Sequence, residues 1–284
     1  MEVNNLFIIG ISRTGSKFYM QILNSNKDIY IAPELMFKHP IKRNAYSAIS
    51  EILNKKNRDS LIETIYSLNF KGSYKTTIKL IEPNTLANQL AKEETLTPYI
   101  ILKSILDLAA KSKGKSVYGA KFPVHYSYTK ELLKEFNNSL VLFLTRDPRD
   151  IYFSDFTKKR KEQSSVGTKF PIKGLFLKPA VLFYTIWEWS RSIGVYEKSN
   201  IENLNRIKLF KFEEIIKNEN KVIKNIANFT GFKTNEFPIE NVKVVGSSFA
   251  KKPALNRWEK ELNFIEKLLF KLLIGRKMKK YGYK

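Results

Sequence analysis

The run Leu6 to Ile11 breaks off into Ser12-Arg13-Thr14-Gly15-Ser16-Lys17, and an amphipathic pattern in Phe18, Ile22 and Leu23 follows at once. Apolar run, glycine-containing cluster and helical spacing in that order predict strand, tight loop and helix. Successive backbone N–H groups in such a loop point into a concavity at the positive end of the helix, which suits phosphate or sulfate oxygens. Arg13 adds a planar donor within the loop, able to stabilise oxygens that gain charge as a bond breaks. In the competing reading the loop is only a tight turn, with Gly15 supplying an unusual backbone angle and Arg13 facing solvent.

Further strands are expected at 29–31, 117–122, 140–145 and 207–212, with helical patterns at 43–70 and 83–112. Most of these later strands follow a helical stretch. That alternation predicts a three-layer α/β domain of P-loop type: a central, mostly parallel sheet with helices on both faces. The 284 residues suit one such domain over 1–284, and 43% hydrophobic content supplies its core. Residues 157–178 mix the basic run Lys158-Lys-Arg-Lys161 with Gly, Pro and Ser, and are expected to form a loop or lid. From about residue 256, leucines among lysines predict a C-terminal amphipathic helix, which either closes the core or rests on a membrane.

Composition narrows the chemistry. The chain has no cysteine and two histidines, His39 and His125. This excludes disulfides, thiolate catalysis and cysteine- or histidine-rich metal sites. Lys and Arg number 50 against 27 Asp and Glu, a net charge of +23, so the field draws in anions without choosing among them. The opening segment lacks the pattern of a signal peptide and no apolar stretch is long enough to span a bilayer, so a cytoplasmic protein, with membrane association left open, is expected.

A second anion site is readable further on. The apolar run Leu140 to Thr145 ends in Arg146-Asp147-Pro148-Arg149-Asp150, and Pro148 suits a first helical turn. Arg146 leaves the carboxyl end of the strand, while Ser154 lies about two turns into the helix. A guanidinium and a hydroxyl converging there can hold one further phosphate. Alternatively, the four charged residues from Arg146 to Asp150 pair among themselves.

The first loop approaches the nucleoside triphosphatase pattern G-x-x-x-x-G-K-[ST], but Ser16-Lys17-Phe18 follows Gly15, and the magnesium-binding hydroxyl is missing from its usual place. Transfer without a metal fits better. Together, FIIGISRTGSKFYMQIL and LVLFLTRDPRDIYFS resemble the two donor-binding segments of sulfotransferases that use 3′-phosphoadenosine 5′-phosphosulfate (PAPS). Tyr118 to His125, Lys211 to Glu214, Gly246-Ser-Ser-Phe249 through Arg257-Trp258 and the ending Tyr281-Gly-Tyr283 resemble later parts of the same family, and Lys252-Pro253 with Trp258 downstream resembles its tyrosylprotein branch. The resemblance implies that Arg13 contacts the transferring group and that Thr14, Gly15, Ser16 and Lys17 hold the 5′-phosphate. It further implies that Arg146 and Ser154 bind the 3′-phosphate, that Lys252 reaches the donor, and that adenosine 3′,5′-bisphosphate (PAP) is the product. The resemblance also implies that no metal is required.

A hydroxyl acceptor also needs its proton removed. Glu34, just past the short second strand, is the preferred base because the carboxyl end of a parallel strand opens on the same crevice as Arg13. Its place also resembles that of the catalytic Glu in tyrosylprotein sulfotransferases. His125 and then His39 are the alternatives, and Lys121 is a candidate for binding acceptor or sulfuryl oxygens. The acceptor is expected to be a carbohydrate or glycolipid hydroxyl, with a tyrosine in an acidic peptide next. Trp187 and Trp189 are candidates for stacking on sugars, at least one of them expected in the core. No specific nucleic-acid partner is expected, and the basic C-terminal helix is a candidate for peripheral membrane contact. A P-loop kinase-like enzyme and a non-catalytic polyanion- or membrane-binding protein remain the rival classes.

Overall fold

Apolar runs bounded by glycine or charge become strands: β1 (Asn5–Gly10), β2 (Ile29–Ala32), β3 (Val117–Phe122), β4 (Ser139–Thr145) and β5 (Ile207–Lys211). All pair in parallel, in the order β2-β3-β1-β4-β5. A computed structural model describes residues 3–35, 37–38, 44–55, 59–68, 74–122, 125–164, 176–203, 205–238 and 255–284.

The helices of the first half are α1 (Ser16–Ser25), α2 (Ala45–Asn54), α3 (Asp59–Ser67), α4 (Tyr74–Ile78), α5 (Pro83–Leu90) and α6 (Pro98–Lys111). Those of the second half are α7 (Thr129–Glu135), α8 (Pro148–Ser164), α9 (Leu177–Glu202), α10 (Phe212–Lys217) and α11 (Glu219–Thr230), then α12 (Trp258–Glu261) and α13 (Phe264–Lys280). Alternate strand residues enter opposite cores, as the period of two requires. Phe7, Ile9, Val141 and Phe143 pack with Ile49, Ile105, Trp189 and Phe270 from α2, α6, α9 and α13. On the other face Leu6, Ile8, Leu142 and Leu144 pack with Ile22 of α1 and Ile223 and Ile226 of α11. Three layers result, and the expected fold class is the observed one.

Two expectations need correction. Residues 157–164 are not loop but the continuation of α8, and α9 begins at Leu177, while 165–175 lie outside the described residues. Lys, Arg, Glu and Gln are good helix formers, and the Asp155–Lys159 ion pair supports the helix over that stretch. The C-terminal helix does not run unbroken from about residue 256. α12 stops at Leu262, and Asn263 restarts the chain by accepting the Glu266 N–H at 2.9 Å while the Glu266 carboxylate accepts the Asn263 N–H at 2.9 Å.

The centre of the sheet leaves no room at one position. A Cβ at Gly119 in β3 would sit 1.6 Å from the Leu6 carbonyl oxygen of β1, and backbone cannot swing aside as a side-chain tip can. Gly119→Ala is expected to cost at least about 3 kcal/mol in urea denaturation or to prevent folding. Stability within about 0.5 kcal/mol of the parent protein would show that β1 and β3 are not so closely joined.

Candidate active site

β1 and β4 are neighbours, so the loops after them open side by side at the carboxyl edge of the sheet. After β1 the chain turns through Arg13 (φ 71°) and Gly15 (φ 83°), both left-handed, and enters α1 at Ser16. Glycine is required at position 15 for a second reason, since a Cβ there would lie 2.2 Å from the Phe212 ring. The Thr14 side chain is buried and donates to the Ile11 carbonyl at 2.8 Å, which leaves it shaping the loop rather than donating into the crevice. Lys17 is exposed on the first turn of α1.

The two predicted anion segments touch. Arg13 Nε donates to Ser154 Oγ on α8 at 2.9 Å, and Arg146 donates to the Arg13 carbonyl at 3.4 Å. The Arg146 side chain is buried, packs its guanidinium 4.5 Å above the centre of the Phe212 ring, and stands 3.6 Å from Asp150. Its Nε is buried without a hydrogen-bond partner among the described residues. Burial pushes the Arg146 pKa down, opposed by Asp150 and Glu213 and reinforced by the neighbouring Arg13 charge. A buried cation with an idle donor fits an anion in the crevice.

The charges at the start of α8 do pair, Arg149 with Asp147 and Arg146 with Asp150, but only the first pair is closely hydrogen-bonded. Asp147 takes Arg149 through both oxygens, at 3.0 and 2.6 Å, and Arg149 lies 3.4 Å from the Trp258 ring centre. Asp150 spends its carboxylate on the backbone N–H groups of Asn256 and Trp258, each at 3.1 Å, pinning the chain that leads into α12. Arg146 keeps only the weaker contact with it.

A second buried cation sits two strands away. Lys121 of β3 is 4% exposed and bonds Glu34 at 3.2 Å, whereas the Glu34 side chain is 44% exposed. Burial pushes the Lys121 pKa down, Glu34 opposes this, and Lys17 adds to it. β3 lies between β2 and β1, so Glu34 and Arg13 leave the same edge two strand spacings apart, roughly 10 Å. His125 is placed differently from a poised base: buried against Phe122, its Nε2 accepts the Lys38 backbone N–H at 2.7 Å. That bond puts the proton of the neutral ring on Nδ1. Trp189 is core and donates to Thr145 and the Arg146 carbonyl, while Trp187 is 52% exposed. His39 and Lys252 lie outside the described residues. No group of three or more His, Asp or Glu among the described residues could hold a metal.

Three residues that the family resemblance covers without giving them a role support the site. Phe212, the first residue of α10, is the floor under both Gly15 and Arg146. Glu213 accepts the Asp147 N–H at 2.8 Å and the hydroxyl of Tyr283 at 3.4 Å, so the chain end braces the second anion loop. Burial pushes the Glu213 pKa up, against the backbone N–H groups of Asp147 and of Glu213 itself and the Arg146 charge. The resemblance of Lys211 to Glu214 and of Tyr281-Gly-Tyr283 to the family is the sequence signal that points to them.

Residues 5–236 match the model described as the sulfotransferase family. No curated protein sequence matches the chain. Among solved structures, a Mycobacterium avium sulfotransferase is similar at TM-score 0.59 and 15% identity, covering 100% of this chain and 78% of its own. A mouse sulfotransferase complexed with PAP gives TM-score 0.54 and 13% identity over 97% of this chain and 84% of its own. The sulfotransferase domain of the Synechococcus PCC 7002 olefin synthase gives 0.51 and 17% over 87% and 82%. At these identities the likeness is one of fold.

Glu213→Ala removes the acceptor that joins Asp147 to the chain end. It is expected to cost about 1–3 kcal/mol in urea denaturation and to speed hydrogen exchange at the Asp147 amide. Glu213→Gln keeps an acceptor without a buried charge and is expected to restore most of both. An unchanged Asp147 exchange rate in the Ala variant would contradict the bracing role.

Proposed function

The chain belongs to the sulfotransferase family, and on that premise we propose that it moves a sulfuryl group from PAPS to a carbohydrate or glycolipid hydroxyl. One observation carries the donor assignment: Arg13 bonded to Ser154 beside Arg146, whose buried Nε has no partner among the described residues. Two cationic sites joined in this way match a nucleotide with phosphate at both ends. A kinase-like site needs only one of them.

When bound, PAPS supplies a sulfuryl group on a phosphate leaving group. Sulfuryl transfer, like phosphoryl transfer, leaves the protein little covalent work, so alignment and charge stabilisation dominate. The N–H groups at the start of α1, with Ser16 and Lys17, would hold the 5′-phosphate. Arg13 would face the oxygens that gain charge. Arg146 and Ser154 would hold the 3′-phosphate, which requires Ser154 to exchange its bond with Arg13 for one with the ligand. Lys252 remains a proposed donor contact by family resemblance alone.

Glu34 is the proposed base. Lys121 fixes one of its oxygens, and its exposure leaves the other open to an acceptor hydroxyl. Lys121 is placed to meet sulfuryl or acceptor oxygens at the same time. His125 would first have to give up the Lys38 N–H, which disfavours it.

Polar groups beside Ser154 support a polyhydroxyl acceptor. Asp155 is the next residue of α8, and Glu188 of α9 accepts the Tyr184 hydroxyl at 3.0 Å. Burial pushes the Glu188 pKa up, and Asp155 adds to the shift. The Trp187 and Tyr184 rings are both half exposed, with centres 5.9 Å apart. A carboxylate that accepts hydrogen bonds from hydroxyls, beside two half-exposed rings, can meet the hydroxyls and the apolar faces of a sugar together.

Purified protein given PAPS with sulfur-35 and a panel of oligosaccharides, glycolipids and tyrosine peptides is expected to label a sugar hydroxyl. Arg13→Ala is expected to abolish that labelling. Glu34→Gln should lower kcat by about 100-fold or more with the PAPS KM nearly unchanged. Labelling of tyrosine alone would overturn the acceptor assignment, and a Glu34 variant that loses donor affinity instead of turnover would remove Glu34 from the base role.

A further inference from the structure

α13 is apolar on two opposite faces. Phe270, Ile274 and Met278 form the stripe that closes the core. On the opposite side Phe264, Ile265, Leu268 and Leu272 stand in solvent, with exposures of 76%, 66%, 38% and 70%. Scattered apolar residues on a surface need no cause, but a row of four on one helix face does. Leu273, 53% exposed, continues the row towards α9. Phe183, also exposed, lies two turns before Ser190 on the α9 stripe that receives Lys277 of α13.

The exposed charge on α13 itself has one sign, while Glu259 and Glu261 of α12 are exposed just ahead of it. Lys271, Arg276 and Lys279 are exposed, and none is in an ion pair among the described residues. The one acidic residue of α13, Glu266, is buried and bonded to Tyr152 and Lys178. Towards α9 the helix borders an open groove of about 720 Å³ whose lining includes Leu272, Leu273, Arg276, Lys277, Lys279 and one carboxylate, Glu197, which is paired with Lys280. No described helix is long and apolar enough to cross a membrane.

We propose that the outward face of α13 docks in the plane of an anionic phospholipid bilayer, burying Phe264, Ile265, Leu268 and Leu272 at the acyl boundary. Lys271, Arg276 and Lys279 then meet the headgroup phosphates. An apolar row with cations beside it and no exposed carboxylate on the helix is the composition of an interfacial helix. A second copy of the chain fits the face poorly, because a two-fold contact would set these three cations of one copy against those of the other. Docking is independent of the transfer reaction, although it would hold the enzyme where a glycolipid headgroup is presented.

The test is co-sedimentation with vesicles of phosphatidylcholine alone and of phosphatidylcholine mixed with phosphatidylglycerol. PAP affinity is measured on every variant, so that loss of docking and failure of the donor assignment are read separately. The parent protein is expected to bind the mixed vesicles, to bind neutral ones weakly, and to leave the mixed ones as salt is raised. Lys271→Gln with Arg276→Gln and Lys279→Gln should weaken binding by about fivefold for each cation removed. Leu268→Glu with Leu272→Glu should abolish it, with PAP affinity unchanged in both. Equal binding to the two vesicle types, no binding by the parent protein, or variants that bind as the parent does would overturn the proposal. A dimer in sedimentation velocity that the leucine variant dissociates would reassign the face to a second copy.

Discussion

Everything at the carboxyl edge of the sheet depends on the pairing of β1 with β4, which runs from Asn5 opposite Ser139 to Gly10 opposite Leu144. That register makes both strands end at the same level. The loop carrying Arg13 and the turn carrying Arg146 therefore leave from adjacent points, although they are far apart in sequence. A slip along either strand would carry one loop past the other, and Arg13 could no longer reach Ser154. Alternating side chains fix the register from below, since Phe7 and Val141 belong to one core and Leu6 and Leu142 to the other.

On that frame two of the buried cations among the described residues, Arg146 and Lys121, have their charge disfavoured by burial, whereas the third, Arg149, is closely paired with Asp147. Arg146 and Lys121 each have an acidic neighbour, but neither neighbour is devoted to its cation. Asp150 is occupied with the backbone of Asn256 and Trp258, and the Glu34 side chain is half open to solvent. Partial compensation of this kind is what an anion-binding crevice requires. Full pairing would leave nothing for a ligand, and none would make the folded state costly. Phe212 serves both halves, as a face for the Arg146 guanidinium and as the surface that only a glycine at position 15 can approach.

The parts legible in the sequence are those where local pattern and tertiary role agree. β1, β3 and β4 were found to within a residue because buried parallel strands are continuous apolar runs ending in glycine or charge. The loop residues Arg13 and Gly15 and the pair Arg146 and Ser154 stand out as candidates because they sit at fixed offsets from those runs, and the structure brings them together. The stretch after Thr157 was misread because Gly, Pro and Ser further along outweighed helix formers that carry α8 to Ser164. Phe212, Glu213 and Tyr283 could not be assigned because their work is done across the fold, by contacts between segments that no local spacing reveals. The tail was ambiguous between closing the core and facing a membrane because α13 has an apolar stripe on each side.

Calorimetric titration of PAP beside adenosine 5′-phosphate, in the parent protein and in Arg146→Ala, tests most directly whether the two loops form one cleft for a nucleotide with two phosphates. PAP is expected to bind more tightly than the monophosphate by roughly thirtyfold or more. Arg146→Ala is expected to erase that difference while leaving the monophosphate affinity nearly as it was. Equal affinity for the two nucleotides in the parent protein would contradict the account, and so would a preference that survives the loss of Arg146.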